Sequence, residues 1–480
     1  MELPPSLSYF AKIAEIDAGL DAGDIRDGHT LETALNSGDI TLDQIQEVAA
    51  PRLLAQAILI TRGRILDIMK SSSHALSSAE RLLEATHLLI EVDPKLAKNS
   101  SSICLMLFRK ALGSLRERDD LARAHGGLAR ILVTRNADRA ALMALRDAIR
   151  LTEEPDKKAH LLYERAKIME RIDRIKYAKE IASQYREGMA ASPCYEPPFL
   201  ALAHLLEQEG SVQEALNILQ ALEEKSRAAG KETSSGILNE IARFYNTLED
   251  ESQQDANEKA RKLNLLLVDF DDHGEPLSSQ AQHCLQTIRE VGIHGEALAT
   301  LMREQEENQN GETSPEQDVS FKNRVRELSN AKISSEEKAS ESISQLDVSV
   351  EPERFQRLLE AYEEWQCGRR RVAKCRYERM KYLKAAAHHP EPFPPAMVNY
   401  GTQLLEAGRI QLAVVEFSNA LSKGMTVAKF FLGLCYSLPS QNNIPEAKRL
   451  LTEFLSETAA DQSPHIKIKR EQAQEFLKNL

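Results

Sequence analysis

The sequence has few of the residues that mark disulfide, membrane or secretory proteins. Its six cysteines are scattered over 480 residues without a close pair, and Trp365 is the single tryptophan. Scattered thiols are typical of a reducing compartment rather than of a disulfide framework. No apolar run approaches the length of a membrane span, and the first residues lack the basic and apolar regions of a secretory signal. These absences predict a cytoplasmic protein with no membrane segment.

Motifs for catalysis and for cofactor binding are lacking as well. The sequence contains no glycine-rich phosphate loop, no H-E-x-x-H and no G-x-S-x-G. Cys367, Cys375, His388 and His389 are the best candidates for a zinc site, but the gap between the two cysteines is too long for the usual ligand spacing. We therefore expect a protein that is not an enzyme and that has no metal and no cofactor.

The charge balance argues against general binding to polyanions. The chain has 73 acidic and 61 basic residues, a formal net charge of −12, which disfavours non-specific attraction to nucleic acid or anionic membrane. One segment departs from this balance, because residues 369–384 contain eight basic residues and a single acid, Glu378. This segment is the most informative local feature of the sequence.

The chain is predicted to be all-α, because Ala, Leu, Glu, Lys and Arg dominate and apolar residues recur at helical spacing. The clearest unit lies at 394–422. Pro394 and Pro395 suit the first turn of a helix, Gly408 suits a left-handed helix end, and a second helix is predicted over Ile410–Ser422. This pattern predicts two antiparallel helices joined by a tight turn.

Small and large residues recur with a fixed period through these hairpins. Gly401 is followed by Ala413, Phe417 and Ala420, and the alanine returns at Ala447, thirty-four residues after Ala413. The pattern resembles the tetratricopeptide-repeat family, which has this period. The resemblance extends to 195–225 and 121–150. It implies an α-solenoid of stacked antiparallel hairpins that binds partner peptides or helices in a groove, as a scaffold or adaptor within a multi-subunit complex.

Elsewhere the repeat pattern is degenerate. The hairpin that begins near Ile241 is predicted to have a long turn, "TLEDESQQDANE", before its second helix. Residues 303–350 are rich in Glu, Gln, Asn and Ser, which predicts a flexible linker between two arrays. The prediction thus has four parts: a helical region with degenerate repeats over 1–120, a repeat array over 121–302, the linker over 303–350 and a second array over 351–480.

The basic segment carries the predicted partner site. On a helical wheel Arg370, Lys374, Tyr377, Lys381 and Lys384 form one stripe, while Tyr382 and Ala385 are expected to pack. The stripe is interpreted either as a solvated face or as a docking surface for an acidic protein segment. Binding of nucleic acid or of a phosphorylated ligand is the alternative, made unlikely by the net charge.

Asn399 is the remaining candidate contact residue, because it occupies a plausible groove position in the first helix of its hairpin. Some members of the family hold the carboxylate of chaperone peptides with basic and amide side chains on successive helices. The neighbouring helices here have Leu358, Tyr362, Val427 and Phe431 at those positions. The sequence therefore predicts that such a clamp is absent.

Overall fold

The computed structural model describes residues 72–92, 94–273, 276–308, 315–438 and 440–480. Within these ranges the chain is helical and has no strand, and no helix is both long enough and apolar enough to cross a bilayer. The α-helices are α1 (Ser72–Val92), α2 (Pro94–Ser114), α3 (Arg118–Thr134), α4 (Asp138–Leu151), α5 (Pro155–Ala191), α6 (Glu196–Gln208), α7 (Val212–Ala228), α8 (Ser235–His273), α9 (Ser279–Asn308), α10 (Pro315–Ser344), α11 (Glu353–Ala387), α12 (Pro394–Glu406), α13 (Ile410–Ser422), α14 (Val427–Ser437), α15 (Ile444–Glu457) and α16 (Pro464–Asn479). The predicted all-α, solenoid class of stacked hairpins is confirmed.

The helices group into two compact units. Unit 1 contains the described residues up to 209 together with 224–229, and unit 2 contains 210–223 and 230–480. Helix α7 contributes residues to both units. The predicted boundaries at 120, 302 and 350 do not coincide with this grouping, and the four-part division of the chain stays a prediction.

Unit 1 contains the hairpin predicted at 121–150, formed by α3 and α4. The two helices pack through small residues, with Ala129, Ala141 and Ala148 at most 1% exposed. Small side chains allow the helix axes to approach closely, and Leu145 fills the space between them. Asn136 turns the chain between the helices with a positive φ of 57°.

Unit 2 contains the hairpin predicted at 394–422, and both of its helices are confirmed. Gly408 has a φ of +70°, as expected for a left-handed helix end. A Cβ on residue 401 would lie 2.7 Å from the Phe417 ring, so only glycine leaves room for that ring. The same arrangement returns in the next hairpin, where a Cβ on residue 433 would lie 2.7 Å from Leu451. These close approaches explain the repeated spacing of glycine and large residues.

The long turn predicted near residues 247–258 is wrong. These residues belong to α8, which continues without interruption from Ser235 to His273. The segment contains no glycine or proline, and polar pairs four residues apart, such as Lys259 with Asp255 at 2.8 Å, support the helix. Ala256 is buried against α11, so tertiary packing also favours a continuous helix.

The described parts of the predicted linker, residues 303–308 and 315–350, are also mostly helical. Helix α10 packs beside α9, Ala339 is fully buried, and Ile343 and Leu346 lie against the same apolar cluster as Leu358. A few apolar residues at helical spacing are sufficient to bury one face of a helix, even in a segment that is polar overall. Residues 309–314 lie outside the described residues.

Candidate functional site

Helix α11 carries the basic segment, and its long partner α8 determines which of its faces is covered. The two helices run antiparallel. Tyr245 stacks on Tyr382 with ring centroids 5.9 Å apart, and further along the pair a Cβ on residue 368 would lie 3.3 Å from Ala256. Burial raises the pKa of both tyrosines, and the Tyr382 hydroxyl donates to Glu223 at 2.7 Å. The face that α8 covers is therefore closely packed and partly polar.

Some of the basic residues of the segment belong to this covered face. The Arg379 side chain is 11% exposed and pairs with the Glu249 carboxylate of α8 at 3.2 Å, and that carboxylate is itself only 8% exposed. Arg379 also donates to the side-chain oxygens of Asn246 and Gln403. Arg376 reaches the other oxygen of Glu249 at 2.9 Å. Both arginines thus stabilise the helix pairing through Glu249, and Arg379 is covered, whereas the Arg376 side chain is 63% exposed.

Arg369 is engaged in a second packing contact. Its guanidinium pairs with Glu336 of α10 and lies 5.0 Å from the centre of the Trp365 ring. A guanidinium over an indole face adds a cation–π attraction to the ion pair. Three of the eight basic residues in the segment therefore have structural partners on neighbouring elements.

The predicted stripe lies on the opposite face of α11, and its five members are exposed. We call Arg370, Lys374, Tyr377, Lys381 and Lys384 the basic strip. It extends for about 21 Å along the helix, at 1.5 Å per residue. Within the described part of the chain, Arg370, Lys374 and Lys384 have no acidic partner, whereas Lys381 pairs with Glu378 at 3.0 Å. The strip therefore presents cations that remain free to meet an anion.

One detail of the predicted face needs correction. Ala385 is exposed rather than packed, because the covered face passes through Tyr382, Leu383 and Ala386. Ala385 instead borders the strip, so a ligand meets no bulky side chain there. Tyr377 is 68% exposed in the middle of the strip.

Asn399 is not part of the basic strip. It lies on α12, and its side-chain amide donates to the oxygen of the buried Asn239 of α8 at 3.0 Å. At the positions that a carboxylate clamp needs, Leu358 and Tyr362 are buried in the core of unit 2. The contacts of Asn399 are thus explained by packing between α8 and α12.

Unit 1 contains a candidate site that the sequence interpretation missed. A cavity of about 850 Å³ lies between α3 and the first half of α5, with contributions from α1 and α4. Its floor is apolar, formed by Ala129, Val133, Leu145 and Ile168. Its remaining lining residues are mostly charged or polar: His87, Arg130, Tyr163, Glu164, Lys167, Glu170, Arg171 and Arg174.

Most of the cations around this cavity are already paired. Arg130 donates to Glu164 at 2.9 Å, Lys167 pairs with Glu170 at 2.6 Å, and Arg171 pairs with Asp138. Arg174 is partly buried, and it forms neither an ion pair nor a hydrogen bond with any described residue. The cavity therefore has one positive charge in excess of its internal pairs.

A break in α5 sets the position of Arg174. Asp173 has an extended backbone, with φ −168° and ψ 94°, and its carboxylate accepts a hydrogen bond from the Lys176 N–H at 3.0 Å. An aspartate in this position caps the helix segment that follows. The sequence does contain a pattern that could have indicated this site, because Lys167, Arg171 and Arg174 are spaced four and three residues apart. Acidic residues lie between them, so the segment does not stand out as basic.

Glu164 is held through one of its carboxylate oxygens by two basic side chains. Burial acts to raise the pKa of its carboxyl group, but hydrogen bonds and positive charge from His160 and Arg130 outweigh burial and lower that pKa. One of its oxygens, Oε1, lies 3.2 Å from His160 Nε2. The other, Oε2, is buried without a hydrogen-bond partner among the described residues. Oε2 has essentially no exposed surface, so it is an unsatisfied acceptor inside the protein wall of the cavity.

Comparison with known proteins yields likenesses in structure only. Neither a family model nor a curated protein matches the chain. Among solved structures, the chain is similar to the human IFIT1 dimer with m7Gppp-AAAA, at TM-score 0.25 and 14% identity over 92% of this chain and 87% of that one. It is also similar to Naa15/Naa10 bound to HypK-THB, at TM-score 0.29 and 11% identity over 90% of this chain and 65% of that one. TM-scores this low do not establish a common fold.

Proposed function

We propose that this protein is a non-enzymatic interaction scaffold whose basic strip docks an acidic segment of a partner protein. The observation that carries the proposal is that some basic residues of α11 are paired and others are not. Arg369, Arg376 and Arg379 are used in ion pairs with neighbouring helices, while Arg370 and Lys374 point to solvent without acidic partners in the described structure. Free cations aligned along a rigid helix match the carboxylates of an acidic helix or extended peptide.

The repeat type supports the same class of function. We propose that the hairpins are tetratricopeptide repeats, because in two successive hairpins a glycine of the first helix makes room for a large residue of the second, at Gly401 with Phe417 and at Gly433 with Leu451. All six cysteines are free thiols, which supports a role in a reducing compartment such as the cytoplasm. A scaffold of this type acts by presenting surfaces rather than by catalysis.

Nucleic-acid binding is the second candidate, and the exposed Tyr377 favours it. An aromatic ring among cations is the arrangement on which single-stranded bases stack. The net charge of −12 opposes it, because the long-range field of the chain repels phosphates. The acidic protein segment is therefore the better-supported ligand.

Charge reversal of the strip tests the proposal. In the test variant Arg370, Lys374, Lys381 and Lys384 are changed to Glu. The matched control changes four exposed lysines elsewhere in unit 2 to Glu, so that the net charge changes equally: Lys423, Lys448, Lys467 and Lys478. Fluorescence anisotropy measures binding of a labelled Glu- and Leu-rich helical peptide and of labelled oligouridine. We expect the peptide to bind the wild type and the control but not the test variant.

The other outcomes are also informative. Equal peptide affinity for all three proteins, or no affinity for any, would show that the strip is a solvated face. Strong binding of oligouridine, with an affinity that falls with salt at a logarithmic slope of about −3 for four phosphate contacts, would favour the nucleic-acid alternative. Circular dichroism confirms that each variant remains helical.

A further inference from the structure

A second, smaller cavity of unit 1, of about 380 Å³, lies where the turns of the first two described hairpins meet. It is formed by the end of α1, the first turns of α2 and the turn between α3 and α4. Lys98 and Arg135 line it, and no acidic side chain is among its described lining residues. These two positive charges therefore have no counter-charge within the described lining of the cavity.

Two serine hydroxyls hold Arg135 in place without neutralising it. Arg135 Nη1 donates to Ser102 Oγ at 2.8 Å and to Ser101 Oγ at 3.3 Å. Both hydroxyls donate in turn to the backbone oxygen of Lys98, at 2.8 Å from Ser101 and 3.2 Å from Ser102. The N–H groups on Nε and Nη2 of Arg135 have no partner among the described residues. Since a guanidinium has five N–H donors, three of them remain for a ligand.

Lys98 and Asn136 add unused donors to the same cavity. Neither the ammonium of Lys98 nor the side-chain amide of Asn136 forms an ion pair or a hydrogen bond with a described residue. Asn136 lies in the turn between α3 and α4, where its backbone has a φ of 57°. The cavity thus offers donors from three different side chains.

The charges and donors select the class of ligand. A carboxylate would neutralise only one of the two cations, whereas a phosphomonoester carries a charge of about −1.5 to −2 at pH 7 and three acceptor oxygens. Arginine binds a phosphate group through two parallel N–H groups, and lysine binds it as a point charge. A phosphomonoester therefore matches both the charge and the donors of the cavity.

The apolar wall of the cavity limits the size of the group that carries the phosphate. This wall contains Ile90, Pro94 and Ala97, and Ile90 is 44% exposed. An apolar wall beside a few polar groups is typical of small-molecule sites, and the volume lies near the lower end of their range of about 300–1,000 Å³. A group of the size of a phenyl ring or of an amino-acid side chain is sufficient to cover Ile90.

From these observations we propose that this cavity binds the phosphate group of a phosphomonoester, either a small soluble ester or a phosphorylated side chain. Arg135 and Lys98 pair with the phosphate oxygens, the amide of Asn136 donates to one of them, and the ester group covers Ile90. The site shares no residue with the basic strip, so its test is independent of the scaffold function proposed above.

Ligand-observed NMR titrations with the full-length protein test the proposal. The probes are phenyl phosphate, benzoate and a pentapeptide with a central phosphoserine. We expect at least one of the two phosphate probes to bind with a Kd below about 1 mM and benzoate to bind at least tenfold more weakly. The tighter of the two phosphate probes identifies the source of the phosphate group. Absence of binding by both, or equal affinity for phenyl phosphate and benzoate, would overturn the proposal.

The pH provides a second readout. A phosphomonoester takes up its second proton near pH 6, whereas lysine and arginine remain charged. The affinity for the bound phosphate probe should therefore fall severalfold between pH 7.5 and pH 5. An affinity that does not change over this range would contradict the pairing of two cations with a dianion.

Three variants connect the binding to the cavity. Lys98→Gln removes an ammonium without a described partner, so it should weaken the bound phosphate probe about tenfold at an unchanged melting temperature. Arg135→Gln should weaken it at least as much. Asn136→Gly removes the amide but tolerates the positive φ, and it should weaken binding severalfold.

Arg139→Gln is the matched control for these variants. Arg139 is exposed on α4 and lies outside the described lining of the cavity, so the loss of its charge should leave the affinity unchanged. Equal weakening by Arg139→Gln and Arg135→Gln would show a general effect of charge rather than a site. Wild-type affinity of Lys98→Gln and Arg135→Gln would show that the phosphate binds elsewhere, and either result would overturn the proposal.

Discussion

The ion pair between Arg379 and Glu249 should be among the most sensitive points of unit 2. Removing Arg379 leaves the Glu249 carboxylate, which is only 8% exposed, with Arg376 as its single cation among the described residues, and Arg376 is 63% exposed. Breaking a buried ion pair by removing one partner costs about 3–5 kcal/mol of folding stability. Because the carboxylate keeps its contact with Arg376, we expect Arg379→Met to reduce the free energy of unfolding by about 3 kcal/mol, the lower end of that range.

Trp365 provides the assay, because it is the single tryptophan of the chain and lies on the same helix. Its fluorescence reports the urea unfolding of α11 against its neighbours. With a denaturant slope of about 2–3 kcal/mol per molar, the expected loss lowers the unfolding midpoint by about 1–1.5 M. Arg371→Met is the control, since Arg371 is exposed on the same helix, and it should change stability by less than about 0.5 kcal/mol.

A double variant separates the buried charge from the loss of packing. Glu249→Gln combined with Arg379→Met removes the uncompensated carboxylate, so it should recover more than half of the loss caused by Arg379→Met alone. A midpoint for Arg379→Met equal to that of the wild type would refute the reasoning. So would a double variant whose loss is the sum of the two single losses, because the two side chains would then not interact.

Other predictions address packing, helix ends and thiols. Ala413→Leu should overpack its hairpin, reduce the free energy of unfolding by about 1–3 kcal/mol and thereby lower the melting temperature. An unchanged melting temperature in calorimetry would contradict the close approach of the two helices. Gly408→Ala should destabilise by about 1 kcal/mol because of its positive φ, whereas Gly113→Ala, which has open space in a helix, should stabilise, and urea titrations compare the two. Near pH 8, Ellman's reagent should modify the exposed Cys367 rapidly but not Cys284, since burial raises its pKa to about 11, and equal rates would refute this.

The sequence alone determined the hairpins that have clear local signals. Helices α12 and α13 begin and end where proline, Gly408 and the apolar period place them, because these signals act between residues close in the chain. The exposed basic strip was also predictable, since helical periodicity decides which side chains share a face. Where the local signal was only a polar composition, as at residues 247–258 and in α10, the prediction differed from the structure.

Only the tertiary structure decided which charges of α11 are available. Helical periodicity places Arg379 and Lys381 on different faces, but only the structure shows that Arg379 is buried against Glu249 while Lys381 is exposed. Glu249 precedes Arg376 by 127 positions, so no local pattern shows that it neutralises these arginines. The pairing of charges around the unit 1 cavity has the same origin, because Arg130 of α3 finds Glu164 only through the packing of α3 against α5. A charge is paired or free according to which helix lies beside it, and packing of distant segments decides that.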